Sequence, residues 1–219
     1  MIERSTLKFL NDLTFKNNRE WFQANKKVFD AAQDNVTAFA GFLIGEIGKF
    51  DAEVAMLDPR SCVFRIYRDV RFSKDKSPYK TNLGAYISPG GRKSMLPGYY
   101  FHLQPGASFV AGGKYMPDGP ELLKIRTAIA TDTDAFLAVV EKKSFRDIFG
   151  EMRGERLKLA PKSFDPDHRA VEYLKLKGFT AFSEIPDDEL VISAEFPAQV
   201  IKTFRKMYPL ITFLRSALS

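Results

Sequence analysis

Apolar positions recur at helical spacing through the first fifty residues. Ser5 or Thr6 can cap a short helix running to Leu13. Asn17-Asn18-Arg19-Glu20 then has capping-box spacing, an Asx residue followed three positions later by Glu. Trp21, Val28, Ala32 and Phe39 form a helical stripe with Phe22, Phe29 and Val36 beside it. Asn25 falls on the stripe of Trp21 and Val28. That position predicts either a hydrogen-bonded Asn at a helix–helix contact or a residue lining a site. Pro59 ends the helical region.

Beyond Pro59 the period changes to two. CVFRIYRDVRF (62–72) alternates as a strand, and LGAYIS (83–88) reads as another. YYFHLQ, Pro105-Gly106 and ASFVAGG read as a hairpin. From Asp118 the helical period returns, with Leu122, Ile125 and Ile129 on one face. A further helix is predicted from about Thr133 to Lys142. Pro161 to Asp167 reads as a loop and 168–177 as a short helix. FTAFSEI and LVIS read as short strands, and Pro197 as the first position of a closing helix through Leu214. Helices, then antiparallel strands, then helices make an α+β fold rather than the alternating pattern of a parallel sheet. The expectation is one domain over 1–219, with N-terminal helices, a central mainly antiparallel sheet and C-terminal helices packed on it.

Composition narrows the class. At 219 residues the chain can bury roughly 70% of its unfolded surface without a metal or disulfide. The single cysteine, Cys62, excludes a disulfide framework and points to a reducing compartment. MIERSTLKFL has no apolar signal region, and the most apolar run, FAGFLIGEIGKF, is too short to span a bilayer. A cytoplasmic location with no membrane association is expected. The net charge of +6 is mild for this length.

That charge is concentrated. Residues 65–80, RIYRDVRFSKDKSPYK, hold Arg65, Arg68, Arg71, Lys74, Lys76 and Lys80 against Asp69 and Asp75, an excess of four in a chain whose total is six. Read as a strand, 62–72 puts Cys62, Phe64, Ile66, Val70 and Phe72 on a core face. Val63, Arg65, Tyr67, Asp69 and Arg71 lie on the other face. Arg68 breaks this pattern, because its guanidinium falls between Ile66 and Val70. It requires a partner, or the strand must bulge or end near Tyr67. Asp69 faces the wrong way, so a carboxylate elsewhere or an anionic ligand must neutralise it. Arginine forks suit carboxylate or phosphate, lysines add point charge, and Ser73, Ser77, Tyr79 and Thr81 add neutral donors. Pro78 stiffens the loop.

NNREWF, RIYRDVRFSKDKSPYKTNLGAYI, YYFHLQPGASFVAGGKYMP and LKLAPKSFDPDHRAVEYLKLKGF together resemble the conserved hypothetical proteins of domain of unknown function family 2461. The resemblance spans almost the whole chain. It implies a single α+β domain and brings no activity, cofactor or catalytic residue with it. Its most specific segment, RDVRFSKDKSPYKT, coincides with the charged stretch.

Other constellations add less. His102 lies between Tyr100 and Gln104 on the polar face of YYFHLQ, opposite Tyr99, Phe101 and Leu103. Near Arg65 and Arg71 it could serve as a general acid or base. His168 is expected at a helix start, as a cap or surface residue. No HExxH or CxxC is present, so no metal site is expected. PGGRKS (89–94) lacks Walker spacing, although Gly90, Gly91, Arg92 and Lys93 could lend amides and charge to an anion. Cys62, on the core face, reads as packing rather than as a nucleophile.

Three functions follow. The first is a site that binds, or binds and turns over, a phosphate- or carboxylate-bearing small molecule, built from Arg65, Tyr67, Arg68, Arg71, Lys74, Lys76, Tyr79, Lys80 and His102. The second is a nucleic-acid-binding module using the same cations with Tyr67, Tyr79 and Tyr99 as stacking groups. The third is a structural or interaction domain whose cations pair internally with Asp69, Asp75, Glu20 or Glu121.

Overall fold

The computed structural model describes Met1–Ser219. Its helices are α1 (Arg4–Phe15), α2 (Arg19–Ala24), α3 (Lys26–Ile47), α4 (Pro59–Cys62), α5 (Gly119–Thr131), α6 (Thr133–Val140), α7 (Lys143–Phe149), α8 (Val171–Leu174), α9 (Asp188–Val191) and α10 (Phe196–Leu218). Four strands, β1 (Leu83–Ile87), β2 (Gly98–Leu103), β3 (Ser108–Lys114) and β4 (Phe179–Ile185), form one antiparallel sheet in chain order. The fold is α+β, with helices before and after the sheet.

Two compact units divide the chain. The first comprises Met1–Ser94, Tyr100–Val110 and Glu184–Lys202. Its core is aromatic. Phe39 of α3 packs edge-on to Phe101 of β2 at 5.0 Å and stacks on Phe196 at 5.7 Å. The stripe on α3 is turned from its expected direction. Phe22, Phe29, Ala32, Val36 and Phe39 are buried, whereas Val28 is 45% exposed. The cause is a break at Asn25, which ends α2 and donates its side-chain amide to Trp21 O at 2.9 Å. Asn18 rather than Asn17 caps α2, accepting from Trp21 N at 2.9 Å.

The second unit comprises Met95–Tyr99, Ala111–Ser183 and Thr203–Ser219. Here α10 packs on the sheet. Phe204 meets Tyr99 of β2 at 5.3 Å, and Met207 and Ile211 cover Gly112 so closely that a Cβ there would lie 2.7 Å from Met207 Sδ. Lys114, at the end of β3, is buried and donates to Glu121 Oε1 at 2.7 Å and to the Met95 carbonyl. Glu121 also closes the capping box of α5 with Asp118. One pair therefore ties β3, the segment before β2 and the start of α5.

Two predicted strands do not form. LVIS lies in α9 and the turn after it, because the Asp187 carboxylate caps Glu189 N and starts a helix. Residues 62–72 are not a strand either. Asp58 caps α4 with Pro59 at its start, and that helix includes Cys62. Beyond it only isolated bridges remain, Val63 with Ala85 and Tyr67 with Tyr79. Phe72, expected on a core face, is 96% exposed.

Candidate functional site

The charged stretch is an extended stem carrying a side-chain-closed loop, and all of it belongs to the first unit. In the stem, Arg68 N donates to Pro78 O (3.0 Å), Lys80 N to Ile66 O (2.8 Å) and Phe64 N to Gly84 O (2.9 Å). From the Tyr67–Tyr79 bridge to the Val63–Ala85 bridge is four residues on one side and six on the other. The mismatch is a bulge, which interrupts the ladder. The outward polar groups of Tyr79 are taken by a side chain. Asn17 Nδ2 donates to Tyr79 O at 2.9 Å, and Tyr79 N donates to Asn17 Oδ1 at 3.1 Å. The Tyr79 ring stacks on Phe22 at 3.9 Å and is 3% exposed. Tyr67 packs beside this stacked pair, 6.0 Å from Phe22 and 5.5 Å from Tyr79, and remains 45% exposed.

The loop answers what neutralises Arg68. Its guanidinium pairs with Asp75 and donates to Ser77 Oγ (2.5 Å) and Ser73 Oγ (3.3 Å). Asp75 Oδ1 also accepts from Ser77 N (2.8 Å) and Ser77 Oγ (2.7 Å). These bonds, that from Arg68 foremost, hold the Asp75 carboxyl far below the usual carboxylate range. Arg71 forks onto Asp69 through Nε (3.0 Å) and NH2 (2.6 Å), and the same bonds depress the Asp69 carboxyl. Lys76 Nζ donates to Val70 O at 3.0 Å. Three of the six cations are thus occupied inside the loop. Lys74 lies exposed outside these bonds.

Arg65 and Lys80 lie on the stem. Arg65 is exposed. Lys80 is half-buried, with Nζ 5.6 Å from the centre of the Phe64 ring. Burial lowers the affinity of its amine for a proton, and the Arg65 charge lowers it further. Phe64 leads to β2, where it packs edge-on to Tyr100 at 6.1 Å.

Tyr100, His102 and Gln104 point to one side of β2 and its end, while Tyr99, Phe101 and Leu103 are buried on the other. They are bonded in series. Tyr100 Oη lies 2.9 Å from His102 Nδ1, and His102 Nε2 lies 2.9 Å from Gln104 Oε1. A carboxamide oxygen only accepts, so Nε2 carries the hydrogen and Nδ1 accepts from the phenol. Phe109 of β3 stacks on the imidazole at 4.4 Å, and His102 is only 9% exposed. Burial lowers the proton affinity of His102. The Gln104 bond acts against that shift, and Lys80 adds to it. Burial pushes the Tyr100 phenol up to about 12. Gly84 of β1 lies under the phenol, since a Cβ there would sit 2.9 Å from Tyr100 Oη.

The residues predicted from sequence therefore separate into groups. Arg65, Lys80 and His102 form a chain of like-charged or chargeable groups that sense one another. Arg68, Arg71 and Lys76 build the loop, and Tyr79 builds the stem. Phe64, Tyr100, Gln104 and Phe109 join the site without having been singled out as site residues. Strand alternation already placed Tyr100 and Gln104 beside His102.

PGGRKS has a different task. Gly90 and Gly91 take φ of 90° and 71°, and Arg92 donates to Arg60 O (3.0 Å) and Ser61 O (3.1 Å), capping the end of α4. His168 Nδ1 accepts from Ala170 N at 3.0 Å just before α8. Cys62 is buried, and burial raises its thiol, which suits packing. Among the described residues no group of three or more His, Cys, Asp and Glu side chains could hold a metal ion. No helix is long and apolar enough to cross a membrane.

A family model described as a conserved hypothetical protein (DUF2461) matches residues 5–213. No curated protein and no solved structure matches the chain.

Proposed function

The chain belongs to the conserved hypothetical protein family DUF2461, and from the geometry of its charged stem we propose that it binds a compact phosphate- or carboxylate-bearing small molecule through Arg65 and Lys80. One observation carries this reading. Lys80 is half-buried beside the like charge of Arg65, it depresses His102 in turn, and no carboxylate acts on either Lys80 or His102. Asp69 feels Arg65, but both its oxygens bond Arg71. A cluster of repelling cations is relieved by an anion, and partial burial strengthens that attraction over its value in water.

The neighbouring features fit a small ligand better than a polymer. Of the three tyrosines named for base stacking, Tyr79 is 3% exposed and Tyr99 fully buried, leaving Tyr67 and, outside that set, the exposed Phe72. The internal ion pairs Arg68–Asp75 and Arg71–Asp69 account for the loop half of the stretch as structure. They leave the stem half, Arg65 and Lys80, for the ligand.

The test is a thermal-shift series with inorganic phosphate, sulfate and citrate at matched ionic strength. The proteins are the wild type, Arg65→Ala, Lys80→Met and, as a control, Lys74→Ala. Binding to the native state raises the midpoint by mass action. The wild type and Lys74→Ala should be stabilised, and Arg65→Ala and Lys80→Met should not. Equal behaviour of all four proteins would remove the assignment. A steep loss of affinity with salt, as several phosphate contacts produce, would favour nucleic acid instead.

A further inference from the structure

The neutral string Tyr100–His102–Gln104 faces the wrong way for an anion. With Nε2–H fixed on Gln104 Oε1, Nδ1 needs a donor, and the Tyr100 hydroxyl supplies its only hydrogen to it. Lys80 and Tyr100 both pack against Phe64, so an anion held at Lys80 would meet a phenol that has lone pairs but no hydrogen to give. If the hydroxyl simply turned away, Nδ1 would be left as a buried acceptor without a donor, which is costly.

We infer that Tyr100 is the neutral donor of the anion site and that His102 controls it, so that the anion is taken up together with one proton. This rests on the anion reading of Arg65 and Lys80. A proton from solvent adds to Nδ1 of His102. Nδ1–H then donates to the phenol oxygen, and the phenol hydrogen turns to the anion. Nothing else in the string moves. Nε2–H keeps its bond to Gln104, whose backbone is held by Ser108 (Gln104 N to Ser108 Oγ 3.1 Å, Ser108 Oγ to Gln104 O 3.0 Å).

The surroundings set the sign. Lys80 from the stem is the charged group acting on His102, Tyr100 and Gln104 lie on its own strand segment, and the apolar Phe109 ring covers it from β3. Burial and Lys80 both oppose protonation of the free protein, so His102 is neutral at neutral pH. A bound anion cancels the Lys80 repulsion and raises the proton affinity of His102. By linkage, affinity for the anion rises as pH falls. Gly84 keeps the phenol in place for both states, since no side chain from β1 lies beneath it.

Sulfate is the probe, because it does not titrate in this range. Calorimetric titration of the full chain in two buffers of different ionisation enthalpy should show about one proton taken up per sulfate near neutral pH. Affinity should fall, by at most about tenfold per pH unit, as pH rises through the neutral range. Tyr100→Phe should bind sulfate at least about tenfold more weakly and without proton uptake. His102→Gln should abolish the pH dependence. Nitrogen-15 NMR of the wild type reads the step directly, because Nδ1 should become protonated on sulfate addition even if a variant folds poorly. Sulfate binding that Lys80→Met abolishes, with no proton uptake and Nδ1 unprotonated, would overturn this inference and leave the anion site standing. Failure of sulfate to bind at all would overturn both.

Discussion

Arg68 is neutralised by Asp75, seven residues further along the chain, and the two side chains close residues 68–75 into a ring. Ser73 and Ser77 complete the closure. The carboxyl of Asp75 is depressed by these bonds. Its contribution to loop order is therefore present above the ordinary carboxylate pKa near 4 and is lost as pH falls from there toward the lower folded value. Amide order parameters for 69–77 should stay high from neutral pH to about pH 4 and decline below it. In Asp75→Asn they should be low throughout. Tryptic cleavage after Lys74 and Lys76 at neutral pH should be faster in that variant.

Asn17 acts on Tyr79 as a third strand would, accepting from its N–H and donating to its carbonyl. Asn17→Ala leaves both groups without that partner and loosens the Tyr79–Phe22 stack. A loss of about 1–3 kcal/mol is expected by urea denaturation. Asn18→Ala, which removes only a helix cap, should cost about 1 kcal/mol.

Two glycines should respond in opposite directions to the same substitution. Gly113 has φ of 123°, and a Cβ there would meet Phe179 O at 2.1 Å. Gly113→Ala should destabilise by on the order of 3 kcal/mol or more, or fail to fold. Gly45 lies exposed within α3 with open space around it. Gly45→Ala should stabilise by about 0.5–1 kcal/mol. Thermal midpoints of the two variants decide both.

Lys114 is 5% exposed at its side chain and pairs with Glu121. Lys114→Met leaves the Glu121 carboxylate without its cation and the Met95 carbonyl without a donor. A loss of about 3 kcal/mol is expected in chemical denaturation. Adding Glu121→Gln should restore part of it, because the orphaned charge is then gone.

The sequence made some of this visible. Alternation along YYFHLQ separates Tyr99, Phe101 and Leu103 from Tyr100, His102 and Gln104, because a strand's two faces are a local property. It also marked Arg68 as a residue in need of a partner. It offered Asp75 only as one of four candidate carboxylates, beside Asp69, Glu20 and Glu121, because the regular strand that would fix the direction of Arg68 does not form. The bulge and the clamp from Asn17, 62 residues away from Tyr79, are long-range choices that no local period records. LVIS failed for a local reason, a β-like composition overruled by the Asp187 cap. The division of the cations between loop and stem depends on these non-local bonds and so was not legible in a charge count.

Gly84 shows how a functional geometry can be written by something missing. The phenol of Tyr100 occupies the space that a Cβ at position 84 would claim. The direction of that hydroxyl, and with it the identity of the group that receives its hydrogen, is thus held in part by a residue that offers no chemistry of its own. A survey of reactive side chains would pass over this position. Yet any larger residue at 84 would rewrite the orientation of a neighbour sixteen places along the chain.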